Sequence, residues 1–413
     1  MMPDVSVLSV RLHGEEIGTI TYVGAEKTLF AFNEAYAENP ERPTLGLRFK
    51  DGFGELITDF RPYKIKLMPY FSNLLPEGHL RRYLAEKADI HIDREFFLLW
   101  VLGQDLPGAI TVAPADDEEW PDEAHNVLEG EAAKEAAEDA MRFSLAGVQL
   151  KFSAVESASG GLTIPTSGVG GNRIVKLPSR EFAHVPENEF SMMSLAKMVG
   201  IDVPAIELID IRSISNLPDG VEKLGQKAFV IERFDRNDDG NVTHIEDFAQ
   251  VFDVYPEDKY KKASYRRLIS VVATESDQDD VAEFIRRLTF NVLIGNGDMH
   301  LKNWSLIYPD RRNARLSPAY DFVSTIPYIA NDNSALTFSR TKEFTGFTID
   351  ELAHLSAKAT LPRKLVIDTA KETVSLFMER WETEKANLPM HKDVAQTIDK
   401  HLMTLPIVTG KEA

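Results

Sequence analysis

Two stretches of the sequence say most about its architecture: LIGNGDMHLKN at residues 293–303 and LSPAYDF at residues 316–322. Asp298 and Asn303 are five positions apart, the D-x-x-x-x-N spacing of a kinase catalytic loop, and Asp321 begins an Asp-Phe pair further on. Phosphoryl transfer needs a base for the attacking hydroxyl, and it needs amide and carboxylate oxygens for Mg²⁺. Asp298 is therefore the candidate base, and Asn303 and Asp321 are the candidate metal ligands.

Taken singly, these residues are more often turn formers or helix caps. Their combination in a glycine-rich loop between two apolar runs, Phe290–Ile294 and Trp304–Ile307, favours a function. His300 could orient the loop by a hydrogen bond. Lys302 could contact substrate or phosphate, or could simply be solvated.

A kinase also needs a lysine on a strand and an acid on a nearby helix. Lys176 stands in the apolar segment RIVKLP at residues 173–178, where an unpaired charge would be unfavourable. Glu189 follows at the start of a predicted helix over Glu187–Val199. It could pair with Lys176, or it could be an acid favoured by the helix N-terminus.

Two further elements of a nucleotide site have weaker candidates. SLAGVQLK at residues 144–151 offers a small-residue turn whose N–H groups could approach phosphate oxygens, although it matches no standard glycine-rich pattern. AFVIERFDR at residues 228–236 suits a hinge, in which backbone groups of Glu232 and Phe234 could bind adenine. An edge strand with solvated charges is an equally good interpretation of that segment.

Composition limits the classes of protein to consider. The 413 residues carry 46 Lys+Arg, 65 Asp+Glu and no cysteine, which gives a formal net charge of −19. The length exceeds the roughly 250–300 residues of a single core, so two or three domains are expected. Thiolate metal sites and disulfides are excluded, no apolar run approaches the roughly 20 residues of a membrane span, and a cytoplasmic location is expected. The acidic charge argues against autonomous DNA binding.

The order of patterns along the chain predicts an α+β protein. Strand-like alternation marks residues 5–60, and helical periodicity follows from Asn73. An acidic stretch, to which we assign no function, then separates this first part of the chain from a second mixed segment. The remainder is mostly helical. We expect a β-rich N-terminal subdomain at residues 1–112, an acidic linker at 113–140, a mixed N-lobe at 141–246 and an all-helical C-lobe at 247–413.

With these residues in place, the chain resembles the HipA family, the serine/threonine kinase toxins of bacterial toxin–antitoxin modules. The resemblance runs nearly end to end and rests on motifs dispersed in the family's order. They are FSNLLPEG at 71–78, GQD at 103–105, PGA at 107–109, SLAGVQLK at 144–151, IVKLP at 174–178, NE at 188–189, VIERFDR at 230–236, EDF with Gln250 at 246–250, GNGDMHLKN at 295–303 and PAYD at 318–321.

The resemblance implies a protein-kinase-like fold that binds ATP and Mg²⁺. Asp298 would be the catalytic base, Asn303 and Asp321 would hold Mg²⁺, and Ser144 would be an autophosphorylation site that switches the enzyme off. The residues implied in ATP binding are Leu145, Ala146, Gly147, Val148, Gln149, Leu150, Lys151, Lys176, Glu232, Arg233, Phe234, His300, Leu301, Lys302, Asn303, Tyr320 and Asp321.

The resemblance also implies partners. Family members phosphorylate aminoacyl-tRNA synthetases, glutamyl-tRNA synthetase above all, and a helix-turn-helix antitoxin of the HipB type neutralises them. DNA would then be bound only through the antitoxin, and no membrane would be involved. Two alternatives stay open: a kinase fold with another acceptor, and a catalytically silent protein that binds the antitoxin as a corepressor.

Overall fold

The structure is a computed structural model that describes most of the chain. The described residues are 7–23, 26–77, 81, 93–115, 151–156, 162–163, 171–179, 181–215, 217, 223–237 and 240–410. Ser144 and the phosphate-loop residues 145–150 lie outside them, as do residues 116–140 of the acidic stretch. The predictions for those segments therefore stay predictions.

The N-terminal region, residues 7–115, is built on a five-stranded antiparallel sheet. Its strands are β1 Val7–Leu12, β2 Glu15–Tyr22, β3 Lys27–Phe32, β4 Tyr63–Lys64 and β5 Ile110–Pro114, in the order β4-β3-β2-β1-β5. Its helices are α1 Glu34–Glu38, α2 Pro69–Ser72 and α3 Glu95–Leu102. His13 and Gly14 both have positive φ, 53° and 83°, as a two-residue turn between β1 and β2 requires.

The central region, residues 151–237, holds a six-stranded sheet with one helix against it. The strands are β6 Lys151–Glu156, β7 Leu162–Thr163, β8 Arg173–Lys176, β9 Ile206–Asp210, β10 Ile214–Ser215 and β11 Lys227–Glu232, in the order β10-β7-β6-β8-β11-β9. Helix α4, Val185–Met198, packs on β9 and β11 through buried side chains such as Met192 and Leu195. Strand β8 lies inside the sheet, so Lys176 at its end is covered on both sides.

The C-terminal region, residues 240–410, is mostly helical. Its helices are α5 Phe248–Val251, α6 Tyr265–Glu275, α7 Gln278–Leu293, α8 Ile349–Lys358, α9 Arg363–Glu384, α10 Lys392–Leu402 and α11 Pro406–Thr409. Helix α7 packs against α6, α9 and α10, because its apolar stripe, which includes Phe284 and Leu288, is fully buried. The end of α7 at Leu293 delivers the chain directly into the predicted catalytic loop.

The predicted architecture needs one correction, since the C-terminal region is not helical throughout. A three-stranded sheet joins β12 His244–Asp247, β13 Ser305–Tyr308 and β14 Arg315–Leu316, and it frames the catalytic loop. Its strands have two to four residues, too short to show alternation in the sequence. Pairing with distant segments, rather than local pattern, makes them strands.

The N-terminal region is joined to the rest through buried polar groups. His244 donates from Nε2 to the Leu45 carbonyl at 2.7 Å and accepts at Nδ1 from the Ala109 amide at 3.3 Å. Burial lowers the pKa of His244 to about 4, so the ring is neutral and both nitrogens are used. Asp235 accepts from the Gly108 amide at 2.9 Å. These contacts fix the N-terminal region to strand β12 and to the segment that follows β11.

The packing of Trp304 behind the catalytic loop gives a testable prediction. Trp304 is 2% exposed and stacks on Phe284 of α7 with ring centroids 4.3 Å apart. We expect Phe284→Ala to lower the free energy of unfolding by about 3–5 kcal/mol, because it leaves a cavity under the loop. Phe53→Ala, at a side chain that is 94% exposed, should change it by less than about 0.5 kcal/mol. Urea unfolding followed by tryptophan fluorescence checks both, and equal effects would contradict the prediction.

Candidate active site

Lys176 is the centre of the candidate site. Its side chain is 5% exposed and makes ion pairs with Glu189 of α4 and with Asp321 in the segment after β14. Glu189 is buried in the second turn of α4, which begins at Val185, so pairing with Lys176 and not the helix N-terminus accounts for it. One buried cation thus joins the sheet, the helix and the C-terminal region.

Lys151 stands directly across from Lys176 in the sheet. The antiparallel register of β6 and β8 pairs the two residues, and like charges placed opposite one another in a sheet are unfavourable. Asp321 offsets this repulsion, because its Oδ2 lies 3.4 Å from Lys151 Nζ while its Oδ1 contacts Lys176. Half of the Lys151 side chain is exposed, so this cation is accessible to an incoming anion.

Lys176 and Asp321 are charged at neutral pH, whereas burial raises the pKa of Glu189. Burial alone would lower the pKa of Lys176, but Asp321 and Glu189 raise it above its ordinary value. Burial likewise favours the neutral form of Asp321, but Lys151 and Lys176 hold the pKa of that carboxyl well below its usual range. Asp321 also has a φ of +58°, an unusual conformation for a residue other than glycine, of the kind that clusters at functional sites.

The loop after α7 holds Asp298 by its backbone. The amide of Asp298 donates to Asn296 Oδ1 at 3.0 Å, and its carbonyl accepts from Asn303 Nδ2 at 2.9 Å. Asn296 is itself buried and donates to Asn291 Oδ1 at 2.8 Å. The predicted base and the predicted metal ligand Asn303 are therefore connected to each other, and Asn296, which was not predicted as a site residue, supports both.

The carboxylate of Asp298 is contacted by two aromatic side chains. Tyr260 donates its hydroxyl hydrogen to Oδ1, and His300 Nε2 lies 4.0 Å from the same oxygen. Burial lowers the pKa of His300 to about 3, so the ring is neutral, and its Nδ1 accepts from the Lys302 amide at 3.3 Å. His300 therefore orients the loop, as one of its two sequence interpretations held. Tyr260 was not predicted.

Surrounding protein raises the pKa of Asp298, although half of its side chain reaches solvent. Desolvation of the carboxyl is the main cause, and the hydrogen bond from Tyr260 acts in the opposite direction. A raised pKa makes a carboxylate a better proton acceptor. Asp298 is thus a carboxylate with an exposed edge and increased basicity.

Three further predicted site residues, Leu301, Lys302 and Tyr320, contact different parts of the protein. Leu301 is fully buried in the C-terminal core. The side chain of Lys302 turns away from Asp321 and contacts the N-terminal region, where its Nζ lies 2.9 Å from Glu77 Oε1. Tyr320 is held between the Lys302 carbonyl, which accepts its hydroxyl hydrogen at 3.0 Å, and Ser305 Oγ at 2.5 Å.

At the predicted hinge, backbone and side-chain groups are partly used within the protein. The amide of Glu232 donates to the Ala205 carbonyl at 2.9 Å, and that of Arg233 donates to the Asn172 carbonyl at 3.0 Å. The guanidinium of Arg233 contacts Asp235 and, across the interface, Asp105. The ring of Phe234 lies 5.8 Å from that of Tyr320, so this residue borders the Asp321 side of the site.

Asn303 and Asp321 supply hard oxygen donors of the kind that Mg²⁺ takes. The Asn303 amide nitrogen is held by the Asp298 carbonyl, which turns Oδ1 the other way. No group of three or more His, Asp and Glu among the residues that the structure describes could hold a metal ion. The donors fit a Mg²⁺ ion that takes its other ligands from waters and phosphates, as is usual for this ion.

A buried Lys–Glu pair on a strand and a helix, together with a D-x-x-x-x-N loop and a second aspartate, define a protein-kinase-like protein. Two family models match the chain: the HipA N-terminal domain over residues 8–113 and the HipA-like C-terminal domain over residues 143–381. The chain therefore belongs to the HipA-like family, as the motifs predicted.

Named relatives and a solved structure agree with this assignment. The chain is 58% identical over 409 residues to "Putative kinase Y4dM" of Sinorhizobium fredii, covering 98% of both proteins. It is 27% identical over 333 residues to the serine/threonine-protein kinase toxin HipA of Shewanella oneidensis, covering 72% of each. A chain in the Shewanella oneidensis complex of HipA, HipB and operator DNA matches with a TM-score of 0.73 at 22% identity, over 97% of this chain and 96% of that one. The predicted kinase-like fold is confirmed.

The contact between Tyr260 and Asp298 gives a prediction that does not depend on activity. We expect Tyr260→Phe to raise the pKa of Asp298 further, because the lost hydroxyl stabilises the ionised carboxylate. A ¹³C NMR titration of the Asp298 carboxyl measures the change. Tyr255→Phe is the matched control, since that hydroxyl donates to the Leu67 carbonyl instead. Equal shifts in both variants, or none in either, would show the assignment to be wrong.

Proposed function

We propose that this protein is an ATP- and Mg²⁺-dependent serine/threonine protein kinase, the toxin of a HipBA-type toxin–antitoxin module. The observation that carries the proposal is the buried cluster of Lys176, Glu189 and Asp321 together with the ordered loop that presents Asp298. Kinase names among the relatives support the same activity. The residues divide the chemistry between them as follows.

Asp298 takes the proton of the acceptor hydroxyl, whose oxygen forms a bond to the γ-phosphorus of ATP. The bond from that phosphorus to the β–γ bridging oxygen breaks, and ADP leaves. Lys176 and the half-exposed Lys151 contact the phosphate oxygens. Asn303 and Asp321 would hold Mg²⁺, which neutralises charge on the phosphates. Asp321 now contacts both lysines, so it would exchange part of these contacts for Mg²⁺ when the nucleotide binds.

We also propose that Ser144 is an autophosphorylation site that inactivates the enzyme. The support is its place at the start of the SLAGVQLK motif, seven residues before Lys151. A phosphoserine carries about −1.5 to −2 charges at pH 7. It would repel the phosphates of ATP and compete for the same backbone donors and for Lys151.

The proposed protein partners are an aminoacyl-tRNA synthetase, glutamyl-tRNA synthetase in the first place, and a HipB-like antitoxin. The solved Shewanella oneidensis complex contains HipA, HipB and operator DNA, which supports an antitoxin partner here. The net charge of −19 fits a DNA-binding partner that supplies the positive charge. No helix among the described residues is long and apolar enough to cross a membrane. A cytoplasmic location is part of the proposal, because aminoacyl-tRNA synthetases act there.

The first test is incubation with Mg²⁺ and γ-labelled ATP, alone and with a panel of purified aminoacyl-tRNA synthetases, followed by phosphosite mapping. We expect label on Ser144 and on one synthetase. Asp298→Asn should lower transfer at least about 100-fold while ATP binding stays within about threefold, because the base acts on the acceptor and not on the nucleotide. Ser144→Ala should remove the self-label and prolong activity toward the synthetase.

The outcomes separate the candidate functions. Label on Ser144 without label on any synthetase would leave a kinase with another acceptor. ATP binding without label anywhere would favour a small-molecule acceptor or a catalytically silent corepressor. Full transfer by Asp298→Asn would show that Asp298 is not the base.

A further inference from the structure

A glutamate of the N-terminal region reaches the catalytic loop. Glu77 lies five residues beyond the end of α2 at Ser72, and its carboxylate bridges two lysines of the C-terminal region. Oε1 lies 2.9 Å from Lys302 Nζ, and Oε2 lies 2.7 Å from Lys259 Nζ. Although burial favours the neutral acid, the two lysines lower the pKa of Glu77 to about 2. The carboxylate is therefore ionised and shared between two cations.

Each of these lysines is the sequence neighbour of a residue in the candidate site. Lys302 directly precedes Asn303, the proposed metal ligand. Lys259 directly precedes Tyr260, whose hydroxyl donates to Asp298. Through these two lysines, Glu77 contacts the residue before the proposed metal ligand and the residue before the partner of the proposed base.

Backbone contacts make this attachment stiff. The amide of Leu301 donates to the Lys259 carbonyl at 3.3 Å, which joins the two lysine-bearing segments to each other. Lys302 Nζ also donates to the Asn73 carbonyl at 3.1 Å. Asn73 is in turn fixed to the C-terminal region, because its Nδ2 donates to the Val254 carbonyl at 2.7 Å.

The position of Lys302 also bears on the other half of the site. Its carbonyl accepts from the hydroxyl of Tyr320, the residue directly before Asp321. A displaced Lys302 would thus disturb Asn303 on one side and Asp321 on the other. These are the two residues proposed to hold Mg²⁺.

We propose that Glu77 is a positioning residue for phosphoryl transfer. It holds Lys302 and Lys259, and through them the loop of Asp298 and Asn303, in working geometry. The N-terminal region is then a component of the active site rather than an appended docking domain. The catalytic consequence rests on the proposed function, whereas the effect of Glu77 on the geometry of the loop does not.

The same interface offers a matched control. Arg312, in the turn between β13 and β14, forms another ion pair with Glu41, which follows α1 in the N-terminal region. Its side chains are 44% and 76% exposed, and exposed pairs contribute little to stability. Glu41→Gln removes a cross-interface charge pair without touching Lys302 or Lys259.

The test compares Glu77→Gln with Glu41→Gln in the full chain. For Glu77→Gln we expect amide hydrogen exchange at Leu301 and Asn303 to become at least about tenfold faster. We also expect kcat to fall by about tenfold or more with a small change in KM for ATP, as for a misplaced catalytic group. Glu41→Gln should leave both quantities within about twofold. If Glu77→Gln does not fold, Lys302→Met tests the same link while Glu77 keeps Lys259.

The two readouts distinguish the failure of this proposal from that of the proposed function. Loop exchange and kcat that match Glu41→Gln would overturn the positioning role. Faster exchange in Glu77→Gln with a wild-type protein that transfers no phosphate would leave the structural link standing and refute the kinase proposal. If Glu77→Gln lowered only the free energy of unfolding and left loop exchange unchanged under native conditions, Glu77 would merely stabilise the interface. That result would overturn the proposal.

Discussion

The whole arrangement depends on compensating one buried positive charge. Lys176 lies inside a sheet with almost no access to water, and an isolated ammonium group there would be strongly unfavourable. Glu189 approaches from α4 and Asp321 from the C-terminal region, so the charge is compensated only when three separate parts of the chain have come together. Breaking such a buried pair from one side typically costs about 3–5 kcal/mol. The ion pairs that bring the site residues together therefore also stabilise the fold.

Where the N-terminal region meets the rest of the chain, buried titratable side chains are either neutral or paired with arginine. Burial raises the pKa of Glu246 to about 8, so this side chain is largely neutral at pH 7, where Oε1 accepts from the Leu47 amide at 2.9 Å and from the Tyr308 hydroxyl. His244 is neutral for the same reason. Burial favours the neutral form of Asp235, but Arg233 at 2.9 Å and Arg236 at 2.7 Å lower its pKa and keep it charged. In a chain with a net charge of −19, neutral or paired groups let the interface close without adding repulsion.

Much of the site could be predicted from sequence because its residues sit at fixed spacings or in revealing surroundings. A lysine in an apolar strand needs a partner, and pairing with Lys176 was one of the two interpretations of Glu189 that the sequence left open. Tyr260 and Glu77 could not be assigned to the site in this way, since each reaches the loop from a distant segment. Glu77 stands in the FSNLLPEG motif, but that motif gives it no role at the loop. Lys302 shows the converse limit. Its place in the loop left open a contact with substrate or phosphate, or simple solvation, whereas tertiary packing places its ammonium group against Glu77.

The pairing of Lys151 with Lys176 across two strands makes the position of its positive charge independent of the segment that precedes it. Lys151 is the first residue of β6, and ladder pairing of Lys151–Ala154 with Arg173–Lys176 fixes its place beside Lys176. A slip by one residue would put its side chain on the opposite face of the sheet. The ammonium group of Lys151, which we propose contacts the phosphates, is thus positioned by strand register. The length or the sequence of that segment can therefore change without moving the positive charge of Lys151.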